Sequence, residues 1–165
     1  MSGWRWLPLA AAVIVADQLS KGWIEARYAL YESTALLPVL DITRLHNPGA
    51  AFSFLADAGG WQRGFFIVLA IVVSIGIVWW LRQLHAGREA ILACGLSLIL
   101  GGAIGNVIDR IQHGFVVDFI HVHWGNAYFP AFNIADAAIT VGAGLLLWDA
   151  WREWRQERQA RSAGQ

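Results

Sequence analysis

Two uncharged stretches decide the fold: GFFIVLAIVVSIGIVWWL at 64–81 and AILACGLSLILGGAIGNVI at 90–108, of 18 and 19 residues. A helix rises about 1.5 Å per residue, so either stretch reaches roughly 27 Å, close to the ~30 Å hydrocarbon core of a bilayer. The segment between them, 82–89, is short enough for a helical hairpin. Both stretches are therefore read as membrane-spanning helices.

The rest of the chain agrees. Of 165 residues, 57% are hydrophobic and 15% charged, against about 45–50% and about 25% in soluble domains. That balance excludes an ordinary water-soluble enzyme. With 12 basic and 12 acidic residues the formal net charge is zero, which argues against a nucleic-acid partner. The single cysteine, Cys94, excludes an internal disulfide and a Cys-rich metal cage. The length suits one domain, 1–165.

Two shorter uncharged blocks lie at 6–16 and 137–148. Alone, each is too short to span, and the first, behind Arg5, also fits a signal-peptide core. Each becomes long enough if extended through polar residues. The first then runs over about 6–23 and carries Asp17 and Lys21. The last runs over about 133–151 and carries Asp136. A charge inside a span is costly and is by default paired or functional. Nine of the ten tryptophans flank these four segments, as interface anchors do. The expected fold class is an all-α polytopic membrane protein with four transmembrane helices.

Orientation follows from basic residues. The 30 positions of 1–6, 82–89 and 150–165 hold seven Arg, whereas the 70 positions of 21–63 and 109–135 hold five Lys or Arg. The denser set is expected in the cytoplasm, with both termini. The tail, about 155–165, is expected to fray into solvent. The loops at about 25–62 and 109–132 then lie outside.

Those outer loops carry the unusual residues. Residues 36–43 read as strand material, Asn47-Pro48-Gly49 as a turn, and the apolar run 50–55, with Trp61 beyond, as a patch at the membrane surface. Together they predict a small β-rich cradle in the first outer loop. Gly101 and Gly105 form a small-xxx-small pair suited to close helix contact. Asn106 and Asp109 share a helical face, with Arg110 beside them. Asp118 interrupts the apolar run Val116-Val117-Asp118-Phe119-Ile120. Asn133 is placed to cap the last helix, which makes Asp136 its third residue.

Two carboxylates in apolar outer segments, Asp118 and Asp136, suggest a pair sharing one proton, the logic of aspartic proteases. Other readings remain open from the residues alone. His121 and His123 share one face of an extended segment and, with Asp118 and Asp136, suggest a metal-dependent hydrolase. His46 and His113 also lie outside. No HExxH or GxSxG is present, and Ser20-Lys21 alone is weak evidence for a nucleophile. A small transporter or assembly factor is the non-enzymatic alternative. Asp17 and Lys21 read as a self-neutralising i, i+4 pair snorkelling to the outer interface.

Taken in order, Asp17-Gln18-Leu19-Ser20-Lys21, Asn47-Pro48-Gly49-Ala50-Ala51-Phe52-Ser53, Gly101-Gly102-Ala103-Ile104-Gly105-Asn106 with Asp109-Arg110, Val116-Val117-Asp118-Phe119 and Phe129-Pro130-Ala131-Phe132-Asn133-Ile134-Ala135-Asp136 resemble the lipoprotein signal peptidase, or signal peptidase II, family. Ala137 stands where that family often has a small hydroxyl residue. The resemblance implies an aspartyl endopeptidase of the bacterial inner membrane, with its site at the outer face. Its substrate is a diacylglyceryl-modified prolipoprotein, cut just before the lipidated cysteine. It implies Asp118 and Asp136 as catalytic residues, with Asn47, Gly49, Asn106, Asp109, Arg110 and Asn133 lining or bracing the site and Asp17 and Lys21 supporting it. The expected partners are the precursor and membrane lipid. A monomer is expected, with no metal, cofactor or nucleic acid. The apolar segment from Phe52 to Trp61 is expected to clamp over the substrate.

Overall fold

A computed structural model describes residues 2–49, 60–85, 87 and 89–163. In chain order it contains α1 (Leu7–Arg27), β1 (Ser33–Leu37), β2 (Leu40–Asn47), α2 (Trp61–Gln83), α3 (Ala90–Gln112), β3 (Val116–Trp124), β4 (Ala127–Tyr128) and α4 (Ile134–Ala163). By length and composition α2, α3 and α4 are apolar enough to cross a membrane. The fourth helix, α1, has 21 residues, roughly 32 Å of helix. It carries Asp17 and Lys21 buried, turned toward the bundle. Four helices thus form where they were expected. Each overruns its uncharged block, as a chain must if its backbone groups are to stay paired internally at membrane depth.

Helix α3 is the centre of the bundle and packs on α1, α2 and α4. Its glycines make this possible. A Cβ at Gly101 would stand 2.7 Å from the Ala10 carbonyl oxygen, and one at Gly105 would stand 2.7 Å from Asp17 Oδ2. The expected small-residue pair is therefore the α1 seam. Gly102 faces the other way, against the Ala135 carbonyl of α4, and Gly142 of α4 meets the Gly95 carbonyl in the same manner. Absent side chains let the backbones approach. Ala10, Leu81, Leu96 and Leu100 fill one end of the bundle. Ile24, Val117 and Phe119 form a second cluster, where a strand meets a helix end.

The strands form one antiparallel sheet in the order β1-β2-β3-β4. The segment 36–43, read as strand material, enters two strands and turns at Pro38 and Val39. Proline lacks the N–H that a ladder needs. The cradle is also shared: β3 and β4 come from the segment between α3 and α4, and β2 pairs β3 from Leu40↔Val122 to Asn47↔Val116. A bulge between Ile42 and Leu45 breaks this register. At the bulge Arg44 reaches the end of α1, donating to Glu25 Oε1 at 3.2 Å and to the Tyr28 carbonyl at 3.0 Å. This anchors the sheet to the bundle.

One expectation fails at the C-terminus. The tail does not fray but stays helical through Ala163. Arg155 lies 4.9 Å over the Trp151 ring and Arg158 4.7 Å over Trp154, and such i, i+4 cation–π stacks support a helix in water. The apolar run 50–55 and the expected clamp as far as residue 59 lie outside the described residues.

Candidate active site

The site is organised by Asn133, the residue before α4. Its Oδ1 accepts from the Asp136 backbone N–H at 2.9 Å, while Asp136 Oδ2 accepts from the Asn133 N–H at 3.3 Å. This reciprocal pair is a capping box, favoured because the first helical N–H groups have no partner in the helix. Asn133 Nδ2 meanwhile donates to Asp118 Oδ1 at 2.7 Å. One side chain thus holds both acids, from α4 and from β3. The remaining carboxyl oxygens also meet amides: Asp118 Oδ2 accepts from Asn47 Nδ2 at 3.0 Å, and Asp136 Oδ1 from Asn106 Nδ2 at 2.8 Å.

Asp118 is 3% exposed. Burial, and next the nearby Asp136 charge, push its carboxyl up to about 7, against the opposing hydrogen bonds from Asn47 and Asn133. A carboxyl in that state is about half protonated at neutrality, so it can serve as the acid of a proton-sharing pair.

Behind the pair lies a buried ionic cluster. Lys21 Nζ stands 2.8 Å from Asp17 Oδ2, 2.9 Å from Asp109 Oδ2 and 3.1 Å from Asn106 Oδ1. Asp17 and Lys21 do pair, but the snorkelling expected from sequence does not occur; they are 0% and 3% exposed. The reason is a second carboxylate, Asp109, and an amide oxygen, which complete the three acceptors an ammonium can use. The carboxylates have backbone partners too. Asp17 accepts through its other oxygen, Oδ1, from the Ala135 N–H at 3.0 Å, and Asp109 Oδ2, the oxygen that faces Lys21, accepts from the Val117 N–H at 3.0 Å. Gln18, to which no role was given, donates to Asp109 Oδ1 at 2.8 Å and to the Gly105 carbonyl at 3.3 Å. Its position beside Asp17 was the only signal.

Arg110 closes the other flank. It donates through Nη2 to the Gly49 carbonyl at 2.7 Å and through Nη1 to the Asn106 carbonyl at 3.2 Å, and lies 5.2 Å over the Phe66 ring. Gly49 in turn donates its N–H to Asn47 Oδ1 at 3.0 Å, so the Asn-Pro-Gly turn aims Asn47 at Asp118. A groove of about 620 Å³ opens beside Asp136. Asn47, Asn106 and Arg110 are its polar wall, while Phe129, Ile139 and Val141 are apolar.

The histidines do not join this site. Alternation along β3 sets Asp118 on the face opposite His121 and His123. His123 Nε2 is 3.4 Å from Asp41, and both rings pack on Tyr128. His46 stacks on Phe115 with centroids 3.7 Å apart. Among the described residues no three His, Cys, Asp or Glu are grouped to hold a metal ion.

The family model described as signal peptidase (SPase) II matches residues 9–152. The chain belongs to the signal peptidase II family. A lipoprotein signal peptidase of Shewanella piezotolerans is 52% identical over 149 residues, covering 90% of this chain and 87% of that protein. One from Shewanella oneidensis is 50% identical with the same coverage. Among solved structures, a bacterial membrane enzyme determined by the in meso method at 2.3 Å matches with a TM-score of 0.81 and 32% identity, covering 90% of this chain and 88% of that one. A second such enzyme, at 1.9 Å, matches with a TM-score of 0.76 and 30% identity, covering 88% and 92%. This signal peptidase II thus shares its arrangement of four helices and a β-rich part with both solved membrane enzymes.

Proposed function

We propose that this signal peptidase II family member uses Asp118 and Asp136 as its catalytic pair, cutting diacylglyceryl-modified lipoprotein precursors just before the lipidated cysteine. As a member of that family the chain is an aspartyl peptidase that removes signal peptides from lipoproteins. The single observation supporting the residue assignment is the Asn133 bridge, which holds Asp118 and Asp136 through one side chain.

With one proton between them, the pair supplies both halves of a hydrolysis. The ionised member takes a proton from a water as that water attacks the scissile carbonyl carbon. The protonated member gives its proton to the carbonyl oxygen. The resulting diol collapses and the C–N bond breaks. The amine leaves with the proton first taken from water, and a diol hydroxyl returns a proton to the other carboxylate. One water is consumed and the pair ends as it began. Water is the one co-reactant that the step consumes. Asn47, Asn106 and Asn133 hold the acids, Asp17, Lys21 and Asp109 brace them, and Arg110 with Gly49 shapes the groove. One chain supplies all of these residues, so a monomeric single domain suffices.

The pH profile tests this chemistry. Asp118, raised to about 7, must keep its proton in the active form, so cleavage falls as pH rises through about 7. Activity that climbs steadily to pH 9 or so, the behaviour of a lysine or thiol nucleophile, contradicts it.

The protein is a polytopic inner-membrane protein of this family. Its termini are assigned to the cytoplasm on the arginine bias, and the acid pair to the outer face with the sheet. In a Cys94→Ala background, a cysteine at Asn126 is expected to react with an impermeant reagent added from outside, and one at Gly87 is not. Outside labelling at Gly87 overturns the orientation.

A further inference from the structure

Lys21 is buried beside the acid pair but contacts neither acid in the structure, and the hydrolysis above gives it no step. Its ammonium has three N–H donors, taken by Asp17, Asp109 and Asn106 Oδ1. Asn133 Nδ2, which already donates to Asp118, lies 3.3 Å from both Asn106 Oδ1 and the Val117 carbonyl, which share its second hydrogen. Lys21 is thus the closest donor to the Asn106 oxygen. The Asn106 amide therefore cannot flip without opposing donor to donor, and its Nδ2 is held toward Asp136 Oδ1 at 2.8 Å.

We infer that Lys21 is a positioning residue that, through the Asn106 amide, assigns the ionised, water-activating role to Asp136 and leaves the acid role to Asp118. This deepens the reading of Asp118 and Asp136 as the catalytic pair and rests on it. Two further features point the same way. Asp136 is the third residue from the cap of α4, where the positive helix end favours negative charge. It also lines the groove, where an attacking water can stand.

The charge of Lys21 and its hydrogen-bond donor can be separated. With Asp17 and Asp109 it forms a cluster of two carboxylates and one ammonium, net negative. The charged groups facing Asp136 are Asp17 and Lys21 from α1, Asp109 and Arg110 from α3, and Asp118 from β3. What Lys21 supplies is amide orientation, so a variant that keeps the cluster's net charge but removes the donor isolates the effect. Lys21→Met/Asp109→Asn removes one ammonium and one carboxylate together. Lys21→Arg keeps a donor.

The experiment is the pH profile of kcat/KM for a lipidated precursor, with native protein, these two variants and Asp136→Asn. In Lys21→Met/Asp109→Asn the acidic limb is expected about one unit higher, which is about tenfold less activity on that limb, with KM little changed. Lys21→Arg is expected to keep the native limb. An unmoved acidic limb in the double variant, or an equal shift in Lys21→Arg, overturns the inference while leaving the pair standing. Cleavage surviving in Asp136→Asn sinks the pair itself.

Should the double variant cleave nothing at any pH, infrared spectroscopy reads the same quantity. The Asp136 carboxyl is isolated as the difference between Asp118→Asn and Asp118→Asn/Asp136→Asn proteins, each with and without the Lys21→Met/Asp109→Asn change. A protonated-carboxyl band near neutrality only where Lys21 is missing supports the inference. No such band in either background overturns it.

Discussion

Asp118→Asn and Asp136→Asn are each expected to lower kcat/KM for a lipidated precursor by roughly 10⁴-fold or more, the scale seen when one member of a catalytic unit is removed. Asparagine matches aspartate in shape but neither takes nor gives the proton. The double variant is expected to be hardly worse than either single one, because in the proposed mechanism the acids act together on one water and one carbonyl. The substitutions also carry a structural cost. Asp118 accepts from Asn133 and Asn47 on its two oxygens. An amide there sets its own NH2 against one of those donors, at about 1–3 kcal/mol for the bond lost. Membrane insertion and precursor binding should survive such a cost, and measuring both separates lost chemistry from lost folding. Near-native cleavage by either single variant removes that residue from the reaction.

Gly102→Val is expected to abolish both stable assembly and cleavage. A Cβ at this position drives into the Ala135 carbonyl oxygen and meets Ile139 Cγ1 at 2.7 Å. Overpacking usually costs about 1–3 kcal/mol, and a backbone carbonyl cannot rotate away as a side chain can. The segment pushed aside is the start of α4. Ala135 donates its N–H to Asp17, and Asn133 and Asp136 stand on either side of it. The displacement therefore breaks the α1 contact and the acid pair together. At Gly144, on the same helix, an added Cβ would meet nothing within 4 Å, and alanine is the better helix former by about 1 kcal/mol. Gly144→Ala is expected to leave the thermal midpoint in detergent and the cleavage rate unharmed. A Gly102→Val protein with a native melting profile refutes the close α3–α4 seam.

The helices were legible because their signal is local. Residues 64–81 and 90–108 carry the length and apolarity that a bilayer demands, and the structure extends them to α2 and α3. Asp118 and Asp136 stood out for the same kind of reason, a charge where apolar neighbours make it costly. The Asn133 cap could be read from its spacing to Asp136. What could not be read depends on residues far apart in the chain. Lys21 looked like half of a surface pair because Asp109, 88 positions later, completes its burial only when α1 and α3 pack through Gly105. The bond from Gln18 to Asp109 forms only in the same packing. The sheet looked local to one loop, whereas β2 finds its partner in β3 across two helices. His121 and His123 stayed a rival to the acid pair in the sequence alone, until the pleat put Asp118 on the other face.

The measurement that tests the central claim most directly is product analysis by mass spectrometry after incubating purified protein with one precursor in two forms, its cysteine diacylglyceryl-modified or bare. The modified form is expected to be cut at a single bond, leaving the lipidated cysteine as the new N-terminus, with the bare form left intact. Equal cleavage of the two forms, or cleavage at another bond, contradicts an acid pair set at membrane depth to meet a lipid-anchored peptide.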